Sequence, residues 1–159
     1  MTTNEGGSIS VTRRINAPAH EIFTLLNDPA GHPSFDGSGM LRDGGGNTTI
    51  TGVGDTFLMK MHHERNGDYT MRNHVVEFVP DRRLVWEPAR ADVEGEGPAG
   101  HQWGYDLVPD GAGATIVTEF FDCSRAPAWL REAIDDGNVW REAMTTTLEH
   151  LDERCARSD

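Results

Sequence analysis

The feature that most limits what this chain can fold into is a double change of hydrophobic period. Ala19, Ile22, Phe23 and Leu26 recur at helical spacing, whereas beyond Gly39 apolar and polar residues alternate. The alternation runs through 56–64, 69–79, 83–87, 101–108 and 114–123. These runs are separated by Asn-Gly, Pro-Asp, an acidic glycine-rich stretch at 92–100 and Pro-Asp-Gly. After Pro127 the period is helical again. Trp129, Leu130, Ala133 and Ile134 form a first piece, Gly137 and Asn138 supply a stop and a new N-cap, and Trp140, Met144, Leu148, Leu151 and Cys155 make a stripe on a long final helix. A strand at 9–15, a helix capped by Asn16 or Ala17 with Pro18 in its first turn, a short second helix or turn across 28–36 and a weak strand at 40–43 complete the order. An antiparallel meander with hairpin-length connections has one face to bury, and the long last helix is the element available to cover it. The expected class is α+β.

Composition bounds the function. A length of 159 residues predicts one domain, here 9–157 after a flexible tail at 1–8. With 14 basic and 26 acidic residues the net charge is −12, which disfavours nucleic acid and anionic lipid surfaces as partners. No apolar run approaches the ~20 residues that span a bilayer, so membrane insertion is not expected. The first residues carry neither a basic region nor an apolar one of the secretory kind. Cys123 and Cys155 are too few for a disulfide framework and read as reduced thiols, so a cytoplasmic setting is expected. The glycines at 44–46 and in Gly52-Val-Gly54 precede neither Lys-Ser/Thr nor a helix start, so they are loop glycines and imply no phosphate-bearing cofactor.

The element order, together with Ile15-Asn-Ala-Pro-Ala-His-Glu-Ile-Phe23, Phe35-Asp-Gly-Ser-Gly39, Gly52-Val-Gly-Asp-Thr-Phe57, Val75-Val-Glu-Phe-Val-Pro-Asp-Arg-Arg-Leu-Val-Trp86 and Trp103-Gly-Tyr-Asp-Leu-Val-Pro109, resembles the START-like (SRPBCC) superfamily in its polyketide cyclase/dehydrase branch. The resemblance implies a helix-grip fold: a curved seven-stranded antiparallel sheet around a long C-terminal helix, with two short helices between the first two strands. It also implies an elongated apolar cavity. Members bind lipids, sterols or aromatic polyketides, some cyclise or dehydrate them, and others act on protein partners. No single catalytic motif runs through the family, so none is carried over.

The stretch Lys60–His74 holds three histidines around an Asn-Gly turn, and its register decides what they can do. A two-residue turn would mix Phe57, Met59 and Met61 with Thr70, Arg72 and His74 on one face. A three-residue turn with Gly67 in a left-handed bulge pairs Phe57 with Val75, Met59 with Asn73, Met61 with Met71 and His63 with Tyr69, making one side apolar. Because a one-residue slip flips every side chain, the apolar pattern selects the second. His62 and His63 then point to opposite faces, and His62 and His74 lie roughly 13 Å apart at ~3.3 Å per residue, so no shared metal is expected. The inner face holds His63, Tyr69 and Asn73 among apolar groups, either as ligand-orienting residues or as a structural His–Tyr pair.

Alternation turns Leu84 and Trp86 inward, with Trp103, Tyr105 and Leu107 as a second inward row. On the last strand both faces are apolar; the resemblance turns Val117, Glu119 and Phe121 inward. An inward Glu119 would have a raised pKa and acid–base capacity, and an outward one would be solvated or salt-bridged. His32 and Asp36 could share a face at the cavity mouth, or Asp36 could simply cap a turn. The expected function is binding of a small hydrophobic or aromatic molecule between sheet and helix. Its walls would be Phe57, Met59, Met61, Met71, Asn73, Trp86, Trp103, Tyr105, Phe121, Trp140 and Met144. The alternatives are a cyclase or dehydratase using His63, Tyr69 and Glu119, and a protein-interaction module; a homodimer is compatible with each.

Overall fold

The computed structural model describes residues 8–43, 49–64, 67–91, 97–98, 100–128 and 138–156. The expected helical piece at 129–134, the stop at Gly137 and the glycine loop at 44–47 lie outside the described residues, as does most of the acidic stretch.

Seven strands form one antiparallel sheet: β1 (Ser8–Ile15), β2 (Leu41–Asp43), β3 (Thr56–His63), β4 (Gly67–Val79), β5 (Arg83–Arg90), β6 (Gln102–Pro109) and β7 (Thr115–Asp122). Their spatial order is β1-β7-β6-β5-β4-β3-β2, so the meander from β2 to β7 is closed by the first strand at one edge. Between β1 and β2 lie helix α1 (Ala19–Leu26) and a 3-10 helix (Pro29–Ser34); helix α2 (Asn138–Ala156) follows β7 and packs mainly on β1, with smaller contacts to β7 and α1. This is the curled helix-grip arrangement.

Local chemistry explains the boundaries. The N-cap of α1 is Pro18, not Asn16 or Ala17: its carbonyl accepts from the Glu21 and Ile22 amides at 3.0 and 3.3 Å, and no side chain caps the helix. Ile22, Phe23 and Leu26 are the buried face of α1. They join Ile15, Leu84, Leu107, Val117, Leu148 and Leu151 in the main core. Pro29 and Pro33 hold the next segment to a short 3-10 turn.

The β3–β4 hairpin keeps the expected faces but not the expected partners. His63 stands opposite Gly67, Met61 opposite Tyr69, Met59 opposite Met71 and Phe57 opposite Asn73. Glu64 leaves the strand for the turn, and Gly67, at φ 69°, is already the first residue of β4. The ladder has therefore slipped by two residues, which preserves every inward or outward direction while changing every neighbour.

Strand β5 runs to Arg90, past Pro88. The β5–β6 ladder ends at Trp86 opposite Trp103, so Pro88 sits where β5 pairs with β4 alone and no donor is missed.

Candidate functional site

Between the upper half of α2 and the inner face of the sheet lies a cavity of about 410 Å³. That falls within the roughly 300–1,000 Å³ typical of small-molecule pockets. Two kinds of wall meet there. Strands β2 to β4 contribute Leu41, Met59, Met61 and Met71, with Met40 just ahead of β2, and α2 adds Met144. Five of the chain's six methionines thus converge on one space. Unbranched thioether chains adapt to the shape of what they cover, so this wall is deformable. The opposite wall is rigid: the Trp103 and Phe121 rings stack at 4.2 Å and 6°, and Trp140 meets both edge-on at 5.9 and 5.7 Å.

A close approach of the 3-10 segment to α2 shuts one side of the cavity. Gly37 donates its amide to Thr147 Oγ1 at 2.8 Å, and that hydroxyl donates to the Ala143 carbonyl at 3.0 Å. A Cβ on Gly37 would lie 2.5 Å from the Ala143 oxygen, so only glycine fits. The neighbouring Asp36 carboxylate accepts from the Ser38 hydroxyl at 2.8 and 2.9 Å and from the Leu41 amide at 3.3 Å. It is both a turn cap and part of the lining. His32, also in the lining, donates from Nε2 to the Leu26 carbonyl at 2.7 Å, and its burial holds its pKa below the usual 6.5.

Polar groups are few and unusually placed. Glu119 is inward and only 5% exposed, opposite Tyr105 across the β6–β7 ladder. Burial, opposed by the Tyr105 hydroxyl and reinforced by the Asp36 charge, raises its pKa well above 4.5, so the carboxyl holds its proton further up the pH scale than an ordinary one. Tyr105 is likewise raised well above 10.0, by burial first and then by Glu119 and Asp36. His101 lies 5.7 Å from the Phe121 ring, and its pKa is lowered by burial against the opposing charge of Glu87. Glu119 Oε1, His101 Nδ1 and Asn73 Nδ2 are buried with no hydrogen-bond partner, and all three residues line the cavity. Buried polar atoms in native folds are nearly always paired, so these three, each enclosed by protein atoms, are exceptions.

Of the residues singled out from sequence, His63, Tyr69, Glu119, Met59, Met61, Met71, Asn73, Trp86, Trp103, Tyr105, Phe121, Trp140 and Met144 all line this cavity. Phe57 is not in the lining: its ring fills the core 5.4 Å from Trp86 and 6.1 Å from His32. The three acid–base candidates line the cavity from three different strands. His63 on β3 and Glu119 on β7 are four strand spacings apart, about 19 Å along the sheet at ~4.8 Å each. Tyr69 belongs to the hairpin end, where Arg90 lies 5.3 Å from its ring and burial raises its pKa. His62 faces outward, with Nδ1 2.7 Å from Asp68 Oδ1. Met40, Pro88, His101, Ala143 and Thr147 are lining residues that the sequence reading passed over. Alternation extended two residues before Trp103 and two beyond Trp86 would have found His101 and Pro88.

A family model described as polyketide cyclase / dehydrase and lipid transport matches residues 7–156. The chain belongs to this family. Its fold is shared by a Mycobacterium smegmatis protein, Ms6760, with a TM-score of 0.70 at 15% identity, covering 100% of this chain and 97% of that one. A Rhodobacter sphaeroides protein gives a TM-score of 0.71 at 18% identity, covering 97% and 95%. The Aha1 dimer from Colwellia psychrerythraea gives 0.58 at 17% identity, covering 93% and 95%. In sequence, the chain is 31% identical over 126 residues to Uncharacterized protein Rv0088 of Mycobacterium tuberculosis, covering 77% of this chain and 50% of that one. It spans about half the length of the curated relatives it matches. Among the described residues, no helix is long and apolar enough to cross a membrane.

Proposed function

We propose that this protein binds a small hydrophobic or aromatic molecule in the cavity between the sheet and α2, in a cytoplasmic setting. The observation that carries the reading is the convergence of five methionines and a stacked aromatic wall on about 410 Å³ of space. Membership of a family described by cyclisation, dehydration and lipid transport supports it. Trp86, Trp103 and Trp140 line the site, so a bound aromatic should change tryptophan emission. Titration of a panel of fatty alcohols, sterols and polycyclic aromatics should give saturable changes with at least one class, with a matching rise in melting temperature. No saturable response from any class would refute the reading.

A second reading, an acid–base enzyme of the cyclase or dehydratase kind, is favoured by Glu119. A carboxyl whose pKa is raised by burial, set beside a tyrosine, is suited to donate to a developing oxyanion. In that case Glu119→Gln should abolish turnover of an enolisable substrate without weakening its binding, and unchanged turnover would remove Glu119 from the chemistry. The protein-docking alternative gains less. The exposed large apolar side chains among the described residues are Val53 in the loop before β3, Val79 on β4 and Val108 on β6.

A further inference from the structure

We infer that Met59, Met61 and Met71 are modification sites, whose oxidation to sulfoxide by a peroxide switches off ligand binding in the cavity and leaves the fold standing. This rests on the binding reading above and adds a regulation of that site. The observation that carries it is segregation. Every methionine after Met1 lines the cavity. Among the described residues, no buried member of the main core is a methionine, and Met59 only borders it. Met40, Met59, Met61 and Met71 are partly exposed, whereas Met144 is 1% exposed. An oxidant entering the cavity meets thioethers side by side: Met59 faces Met71 across the β3–β4 ladder, and Met61 follows two residues on, on the same face.

Thiols are the usual first targets of peroxide, through the thiolate. Here Cys123 is 0% exposed and Cys155 3%, and burial, with the Asp122 charge, pushes the Cys123 thiol up to about 12. The wall thioethers are therefore reached first. In each step a sulfur lone pair attacks one oxygen of hydrogen peroxide, the O–O bond breaks and an S–O bond forms. The sulfur gives up two electrons, and the other peroxide oxygen leaves as water with both protons. A flexible apolar side chain has become a polar one. An apolar ligand would have to strip water from three S–O dipoles on one wall, so its affinity falls. The fold tolerates the change because the new oxygens have donors in the ladders: Tyr69 stands opposite Met61 and Arg90 opposite Met71. The aliphatic end that supplies the stability carries no thioether to oxidise.

The test treats the intact wild-type protein with hydrogen peroxide, removes the oxidant with catalase and follows three readouts over time. These are the uptake of oxygen at each methionine by peptide mass mapping, the melting temperature, and the affinity for 1-decanol and 2-naphthol by calorimetry. Met59, Met61 and Met71 should take up oxygen several-fold faster than Met144, with both cysteines unmodified. Affinity for whichever probe binds should fall at least ~10-fold in step with that uptake. The melting temperature should move by no more than about 4 °C. Saturating the protein with that probe during treatment should slow uptake at the three sites. Unchanged affinity once all three carry oxygen, uptake at Met144 as fast as at the wall, cysteine oxidation ahead of it, or melting that collapses in step with uptake would each overturn the inference and leave the binding reading standing. If neither probe binds the untreated protein, the binding reading itself has failed and the inference goes with it.

Discussion

The two ends of the inner sheet face are built on different principles, although α2 covers both. Toward one end Leu84, Leu107 and Val117 meet Leu148 and Leu151 of α2, with α1 closing the layer, and the space is filled. Toward the other Met59, Met61 and Met71 face Trp103, Phe121, Trp140 and Met144, and a cavity remains. Branched aliphatic side chains in a few fixed rotamers fill the first end, whereas long flexible and flat rigid side chains frame the second. The filled end supplies stability, which lets the open end carry unpaired polar atoms and a buried carboxyl that a folding core alone would not retain.

That contrast can be broken by substitution. Leu151→Ala in the filled end should cost about 2–5 kcal/mol in urea unfolding, the range for a fully buried leucine, whereas Met61→Ala in the open end should cost less than about 1 kcal/mol because it enlarges an existing space. Equal losses would mean that the open end is core in all but shape. Gly37→Ala should come next. Its Cβ would strike the α2 backbone, so about 1–3 kcal/mol of overpacking is expected, together with weaker ligand binding as the Asp36 turn shifts. A variant as stable as wild type would show that the approach of the turn to α2 is looser than described.

The smallest effects are in pH dependence, and the two buried groups act in opposite directions. Glu119 has a folded pKa above its ordinary 4.5, so its contribution to stability is fully present below 4.5 and is lost as pH rises through the folded value. Glu119→Gln should therefore gain melting temperature over wild type as pH increases, then hold a constant difference. His32 has a folded pKa below 6.5, so its contribution is lost as pH falls from 6.5 through that lower value, and His32→Gln should flatten the acid limb. Parallel melting profiles from pH 4 to 9 would show that neither group changes protonation on unfolding.

Much of the architecture was legible because period alone separates the elements: helical at 19–26, two across the sheet, helical again on α2. The faces were equally legible. Alternation placed Met59, Met61, Met71, Trp86, Trp103 and Tyr105 on the inner side, where they are. Alternation carries no information about slips of two, however. The β3–β4 partners depended on how many residues the turn takes, and Gly67 and Asp68, which the expected pairing left in the turn, are part of β4, so His63 meets Gly67 instead of Tyr69. Phe57 shows a second limit: an inward residue near the end of a strand meets core or cavity according to how the 3-10 helix closes over it, and here His32 and Trp86 pack against its ring. The facing of Glu119 was undecidable from a strand apolar on both sides and came only from the resemblance. Pro88 was lost to a strand end drawn at Glu87, since a proline is tolerated where a ladder is one-sided, and His101 to an inward row begun at Trp103 although the expected strand started at 101.

The most direct test of the account is methyl NMR on protein labelled at methionine, leucine and valine, titrated with 2,6-dihydroxynaphthalene. The expected result is a saturable shift of the Met40, Met59, Met61, Met71 and Met144 methyls, with Leu148, Leu151 and Val117 nearly unmoved. Shifts spread evenly over both sets, or confined to the aliphatic core, would contradict a binding site at the open end of the sheet.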